Sequence, residues 1–458
     1  MGIPFCPGCF EKQQKIDSLE EENKRLKAQL HYRADKEKQG FFGSSTPSSQ
    51  KPIKPNSEPD KQAKRGGAPP GHPGHGRKGI DAAGASRIID IASESYCPDC
   101  GRSLLNKGFG ERSVLEIPPP KPEPILYRLG KGYCAHCRKS FQPHAPAVLP
   151  KALFGNQLTA HVACLHYLHG IPLGRISDQM GLLPGSLIPV MHRLAHLFKS
   201  VLPLLVEQYR QALVRHADET SWRTDGHSGY AWLFCTLDIS IFLFRSTRAG
   251  TVPREIFGDK PLPGVLVVDR YKGYNRMPCH LQYCYAHLMR ECEDLAKEFA
   301  DSTEVNVLTA TLIPLLATAM HLRSQPLSDP QFYEQALLTK NQIISVCEQP
   351  ALHLGIRHIQ DIFRDNADRL YHWAEDRNVP ADNNRAEREL RPTVIARKVS
   401  FGSQSDEGAR TREILMTVLQ TLRKRHPEPE KHFKWVLDQL AIDIKRDPLS
   451  LLFPPDSS

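Results

Sequence analysis

Gly264-Val265-Leu266-Val267-Val268-Asp269 is an unbroken aliphatic run that opens on a glycine and closes on an acid. Aliphatic residues without polar alternates read as a strand buried on both faces. A carboxylate at the end of such a strand is costly unless it is paired or bound to metal, so Asp269 demands a partner. Upstream, Gln211 to Thr224, Tyr230 to Leu237 and Ile241 to Ser246 are rich in β-formers. Asp225 to Gly229 and Asp238 to Ser240 join them as hairpin loops. A short helical stretch separates the third run from Gly264. Downstream, helical sequence extends from about 286 to 380, and Pro380-Ala381-Asp382-Asn383 reopens a helix with Asp382 as its N-cap.

The order β-β-β-α-β suits a mixed sheet of the ribonuclease-H-like type, in which the first and fourth strands are neighbours. Asp218, on the first strand in His216-Ala217-Asp218-Glu219-Thr220, would then meet Asp269. Glu387, on the helix after Asp382, supplies a third oxygen ligand. Hard oxygen donors select Mg2+ or Mn2+, and two such ions about 4 Å apart serve phosphoryl transfer by activating the attacking oxygen and stabilising the leaving one. Two strand-end acids and a helical glutamate are also common salt-bridge partners, and spacing alone does not separate the two readings. Glu219, Asp225 and Asp238 read as surface acids.

The rest of the chain is modular. Residues 11–33 carry Ile16, Asn23 and Leu30 seven apart, with Leu19 and Leu26 between them. This is an a/d seam with a polar residue at one a position, the pattern of a short parallel coiled coil; a lone amphipathic helix is the alternative. Residues 40–80 are rich in Gly, Pro, Ser and Lys, too polar to fold alone, and read as a flexible basic linker. Residues 1–80 hold 15 Lys/Arg against 9 Asp/Glu, and 383–426 hold ten against five. Both excesses favour a polyanionic partner, although a solvated helix face has the same composition.

Twelve cysteines without a secretion signal point to metal ligation or burial over disulfides. Cys97-x-x-Cys100 and Cys134-x-x-Cys137 are two knuckles separated by 33 residues, a ribbon-type structural zinc site within a β domain spanning 81–148. Cys6 and Cys9 form a third knuckle without a partner pair; they either bind zinc across a dimer or have no role, and the second is expected. Residues 152–213 are helical, and the pieces broken at Gly181 and Pro184 suit ordinary helix packing at least as well as a helix-turn-helix. The longest apolar stretch, Val307 to Met320, is short for a bilayer span. A cytoplasmic protein without membrane contact is expected.

Four strings together resemble the core of the insertion-sequence-66 family of DDE transposases: His216 to Thr220, Val267 to Tyr274, Cys284 to Arg290, and Asp382 to Pro392. They occur in the family's order, and the likeness runs from about residue 11 to 445. It implies that Asp218, Asp269 and Glu387 are the catalytic, metal-binding acids. Glu389, a competitor two positions on, lies about 200° round the helix and cannot share Glu387's metals; the family usually has a small residue there. Cys284 and His287 are similar to a Cys-x-x-His element of several DDE groups and would support the site. Arg388, Arg391, Arg397 and Lys398 would follow Glu387 along its helix and contact DNA phosphates.

The implied architecture is multidomain α+β: coiled coil, linker, zinc-ribbon-like DNA-binding domain, helical domain, and a ribonuclease-H-like core of 214–292 and 381–426. A helical insertion (293–380) interrupts that core, and a helical tail (427–458) closes the chain. The implied activity is metal-dependent hydrolysis at transposon ends followed by 3′-hydroxyl strand transfer. Transposon and target DNA would be the partners of a nucleoid-associated homodimer or higher oligomer, with accessory proteins of the same element possible partners too. The alternatives are an inactive transposase-derived zinc regulator and a ribonuclease-H-like resolvase.

Overall fold

The computed structural model describes residues 7–42, 83, 88, 96, 99–100, 102–103, 121–136 and 138–454. Most of the linker, Cys6, Cys97 and Cys137 lie outside the described residues. The chain divides into two units, residues 52–121 and the remainder. Of the first, the described residues show an isolated antiparallel bridge between Tyr96 and Ser103.

The larger unit begins with helix α1 (Pro7–Phe42). Its heptad positions Ile16, Leu19, Leu26 and Leu30 are between 44 and 57% exposed. Its later turns are docked: Gln29 is buried and accepts the Leu354 N–H, Arg33 pairs with Asp361 at 2.8 Å, and Tyr32 meets Phe299 edge-on. A small hairpin follows, β1 (Gly132–Cys134) and β2 (Lys139–Phe141). Then come α2 (Asn156–Ala163), a π-helical turn at Cys164–Leu168, α3 (Leu173–Met180), α4 (Pro184–Phe198) and α5 (Val201–Gln211). Gly181 ends α3 in the left-handed conformation. Leu187, Met191, Leu194 and Phe198 of α4 are buried.

The central sheet comprises β3 (Val214–Thr224), β4 (His227–Cys235), β5 (Ser240–Arg245), β6 (Val265–Val268) and β7 (His280–Tyr283), with α6 (Thr251–Phe257) between β5 and β6. The spatial order is β5-β4-β3-β6-β7. The first three strands are an antiparallel meander, and β6 and β7 run parallel to β3 and to each other. Asp225 and Gly226 both take positive φ (50° and 74°), the two-residue geometry that matches strand twist in a tight hairpin. Gly264 is required where it stands: at φ 74°, a Cβ would lie 2.1 Å from the Leu213 carbonyl oxygen, the point at which β6 enters beside β3. β7 is absent from the sequence reading because His-Leu-Gln-Tyr is too short to show a period.

Helices α7 (Tyr285–Glu298), α8 (Thr303–Leu322), α9 (Asp329–Cys347), α10 (Leu354–Asp365) and the short α11 (His372–Glu375) form the segment between β7 and the last helices. Helix α8 is long and apolar enough by composition to cross a membrane. Its buried residues, Val305, Leu308, Leu312, Leu316 and Ala319, recur at helical spacing and pack towards α7 and α9, as in a core helix. The chain closes with α12 (Asn384–Ser400), α13 (Asp406–Arg425), α14 (Pro429–Ile442) and α15 (Pro448–Leu452).

One contiguous apolar core joins residues from α2 through the sheet to α15. The outer edge of β5 is closed by side chains of α13. Thr421, Thr417 and Glu413 accept the N–H groups of Ser240, Phe242 and Phe244 at 3.0–3.1 Å. Four helical residues rise about 6 Å and two strand residues about 6.6 Å, so an i, i+4 stripe on a helix matches alternate donors of a strand. An otherwise open sheet edge is thereby satisfied.

Candidate active site

Strand pairing brings the two aspartates to one place. The parallel register sets His216 beside Val267, and continuing it by two residues sets Asp218 beside Asp269, just past the end of β6. Asp218 accepts the N–H of Glu219 and Asp269 that of Tyr271, each at 2.9 Å. Glu387 lies in the first turn of α12, where the helix dipole favours a carboxylate. Arg290 of α7 donates to it at 3.0 Å, and His287 Nε2 lies 3.9 Å away.

The electrostatics are those of crowded acids. Burial, followed by the negative charges of Glu219, Asp269 and Glu387, pushes the Asp218 carboxyl well above the usual range. Burial and the Glu219 charge raise Asp269 to about 7, against the opposing Tyr271 N–H and the charges of Arg248 and Arg270. Hard oxygen donors with surplus negative charge fit divalent cations of the Mg2+ or Mn2+ kind.

Among the described residues, the group of three whose donor atoms all lie within 4.8 Å of one another is Cys284, His287 and Glu387. The two aspartates and Glu387 do not form such a group; Glu387 is held towards α7 by Arg290 and acts on Asp218 through its charge. Cys284, wholly buried at the N-cap of α7, has its thiol pushed up to about 12 by burial and by the charge of Glu387. Its sulfur accepts the Asn383 N–H at 3.1 Å.

Several side chains stand differently from their sequence reading. Glu219 is not a surface acid: it is buried, pairs with Arg248 at 2.6 Å and accepts the Tyr274 hydroxyl at 2.5 Å. Neighbouring strand residues face opposite ways, so Glu219 leaves Asp218's face and enters the layer of Tyr271 and Tyr274. Asp225 and Asp238 are exposed. Glu389 bonds Ser240 at 2.9 Å and Lys424 at 2.8 Å, turned from Glu387 as the helical angle requires. Asp382 caps α12 from one position outside the expected one: its Oδ1 accepts the Asn384 N–H, while Asn383 occupies the N-cap.

Arg388, Arg391 and Lys398 are exposed on α12. Arg397 is engaged on β3, donating to Thr220 Oγ1 at 3.0 Å and to the Ser221 carbonyl at 2.7 Å. Arg290 went unnoticed in the sequence, although Cys284, His287 and Arg290 form an i, i+3, i+6 series along one helix side. Of the zinc-knuckle residues, Cys100 is exposed and Cys134 ends β1; Cys97 and Cys137 are outside the described residues.

The acids carry a measurable consequence. Between pH 4 and pH 7 the unfolded chain releases a proton that Asp269 retains when folded. The contribution of Asp269 to stability in chelator is therefore fully present below about pH 4 and declines as pH rises through 7. Asp218→Asn and Asp269→Asn should each raise the melting temperature in chelator at neutral pH, by about 1 °C for every kcal/mol of repulsion removed. Calorimetric melting from pH 5 to 7.5 tests this, and an unchanged melting temperature in both variants would count against the crowding of charge.

Comparison with known proteins adds an independent finding. A family model described as "Transposase IS66 family" matches residues 151–411, and one described as "zinc-finger binding domain of transposase IS66" matches residues 94–138. Two proteins of Sinorhizobium fredii are similar along most of their length. Uncharacterized protein y4qI is 25% identical over 427 residues, covering 82% of this chain and 77% of that protein. Uncharacterized protein y4hP is 22% identical over 422 residues, covering 78% and 71%.

Proposed function

Because this chain belongs to the IS66 family of transposases, we propose that it cuts a phosphodiester at the ends of its element and joins the freed 3′-hydroxyl to target DNA. The observation that carries this reading is the half-buried Asp218, desolvated beside β6 and crowded by the charges of Glu219, Asp269 and Glu387. The strand order β5-β4-β3-β6-β7 supports a ribonuclease-H-like core around it. Asp218, Asp269 and Glu387 would hold two Mg2+ or Mn2+ ions, with Cys284 and His287 as support. Bound there, such ions supply Lewis-acid activation of the attacking oxygen and stabilisation of the leaving one.

The chain's own residues account for the rest. Arg290 and His287 hold the Glu387 carboxylate at the N-terminal end of α12. Tyr271 and Glu219 N–H groups orient the two aspartates. Arg388, Arg391 and Lys398, exposed along the same helix, are placed to neutralise phosphates and to make binding salt-sensitive. Arg397 braces α12 against β3 through Thr220 and Ser221.

Further along the chain, Cys97, Cys100, Cys134 and Cys137 would hold a structural zinc in the segment that matches the zinc-finger family. The exposed seam of α1 would pair with that of a second copy. Full-length protein incubated with Mg2+ and a fragment bearing the element's own ends should give nicks and joined products. Binding without cleavage would leave a regulator, and cleavage of branched DNA without joining would leave a resolvase; either result rejects the proposal.

A further inference from the structure

Three backbone and side-chain links converge on Asn383, which is 1% exposed. Its Nδ2 donates to the carbonyl of Ala217 at 2.8 Å, the residue before Asp218. Its main-chain N–H donates to Cys284 Sγ at 3.1 Å, and the Cys284 N–H in turn donates at 2.9 Å to the carbonyl of Val268, the residue before Asp269. Its own carbonyl accepts the N–H of Glu387 at 3.2 Å. A chain of short contacts therefore runs from the peptide preceding each aspartate to the peptide of the glutamate, through one asparagine and one thiol.

The amide orientation is determined by its partners. Ala217 O is an acceptor, so the group facing it is the NH2, and Oδ1 is left to face His216 Nδ1 at 2.9 Å. His216 must then carry its proton on Nδ1. Every polar atom of Asn383 is thereby used, in a place where an unpaired one would be costly. Aspartate, leucine or alanine would keep the two main-chain links, but none can both donate to the Ala217 carbonyl and accept from His216 Nδ1.

Resting on the three-acid reading above, we propose that Asn383 is a positioning residue, which with Cys284 as its strut sets the mutual placement of Asp218, Asp269 and Glu387 for metal binding. It touches neither DNA nor the reacting atoms. It acts by fixing the backbone on which the three ligands are mounted, in the way that residues behind metal ligands tune affinity elsewhere.

The test uses the full-length protein, with Mn2+ titrated calorimetrically well below the melting transition of each variant. Asn383→Ala should weaken Mn2+ binding about 10–100-fold, and Cys284→Ala should weaken it in the same direction, while both keep binding DNA ends. Wild-type Mn2+ affinity in a folded Asn383→Ala overturns the proposal. If that variant does not fold, Cys284→Ala decides by the same readout. Asp218→Asn is the control for the premise: if it too binds Mn2+ like the wild type, the three-acid site itself is wrong, a result distinct from failure of the Asn383 inference alone.

Discussion

Asp218→Asn, Asp269→Asn and Glu387→Gln should each abolish end cleavage and strand transfer while leaving end binding intact. The amide keeps the shape of the acid and removes the charge that a divalent ion requires. A loss of about 10^3-fold corresponds to roughly 4 kcal/mol of transition-state stabilisation, and the crowding around Asp218 makes a smaller effect hard to reconcile with a metal-binding role. Glu389→Gln is the contrast: its carboxylate is engaged with Ser240 and Lys424, so it should cost stability and spare chemistry. Single-turnover cleavage of an end fragment, with binding measured in parallel, separates these outcomes. Full activity in any one of the three acid variants removes that residue from the site.

The second large effect concerns zinc. Purified protein should contain one zinc per chain, and Cys100→Ser or Cys134→Ser should lose it. Structural zinc contributes on the order of 10–16 kcal/mol in small zinc-dependent folds, so the segment matching the zinc-finger family should unfold without it. End binding should fall with it, while Mn2+ binding at the acids persists, because those ligands sit on the central sheet and α12. Elemental analysis and DNA-binding titrations of the two variants check this. Protein that carries no zinc, or that binds ends equally well after both substitutions, contradicts the assignment.

Much of the region around the acids was legible because its strands carry strong local signals. The aliphatic run 265–268 has no helical period, and the acids at Asp218 and Asp269 interrupt sequences that otherwise want burial. Placing Asp218 and Asp269 on neighbouring strands followed from element order alone, and β3 and β6 are indeed paired in parallel. The angular separation of residues two apart on a helix foretold that Glu387 and Glu389 diverge, as they do. Glu219 was misread because a charged residue gives no local sign of a buried Arg248 and Tyr274 waiting for it. The bonds of Arg397 to Thr220 and Ser221 were illegible for the same reason, those partners on β3 lying more than 170 residues away.

By itself, then, the order of residues determined the strand and helix types, the family motifs and the acids available for chemistry. Those properties follow from periodicities of two and of about 3.6 residues and from side-chain chemistry, both written locally. Tertiary structure alone decided that Asn383 joins Ala217 to Cys284, that Arg290 takes Glu387, and that α13 seals the edge of β5. Such choices depend on which surfaces meet after the chain has closed loops of 97 to 181 residues, and packing, not sequence neighbourhood, selects among the partners.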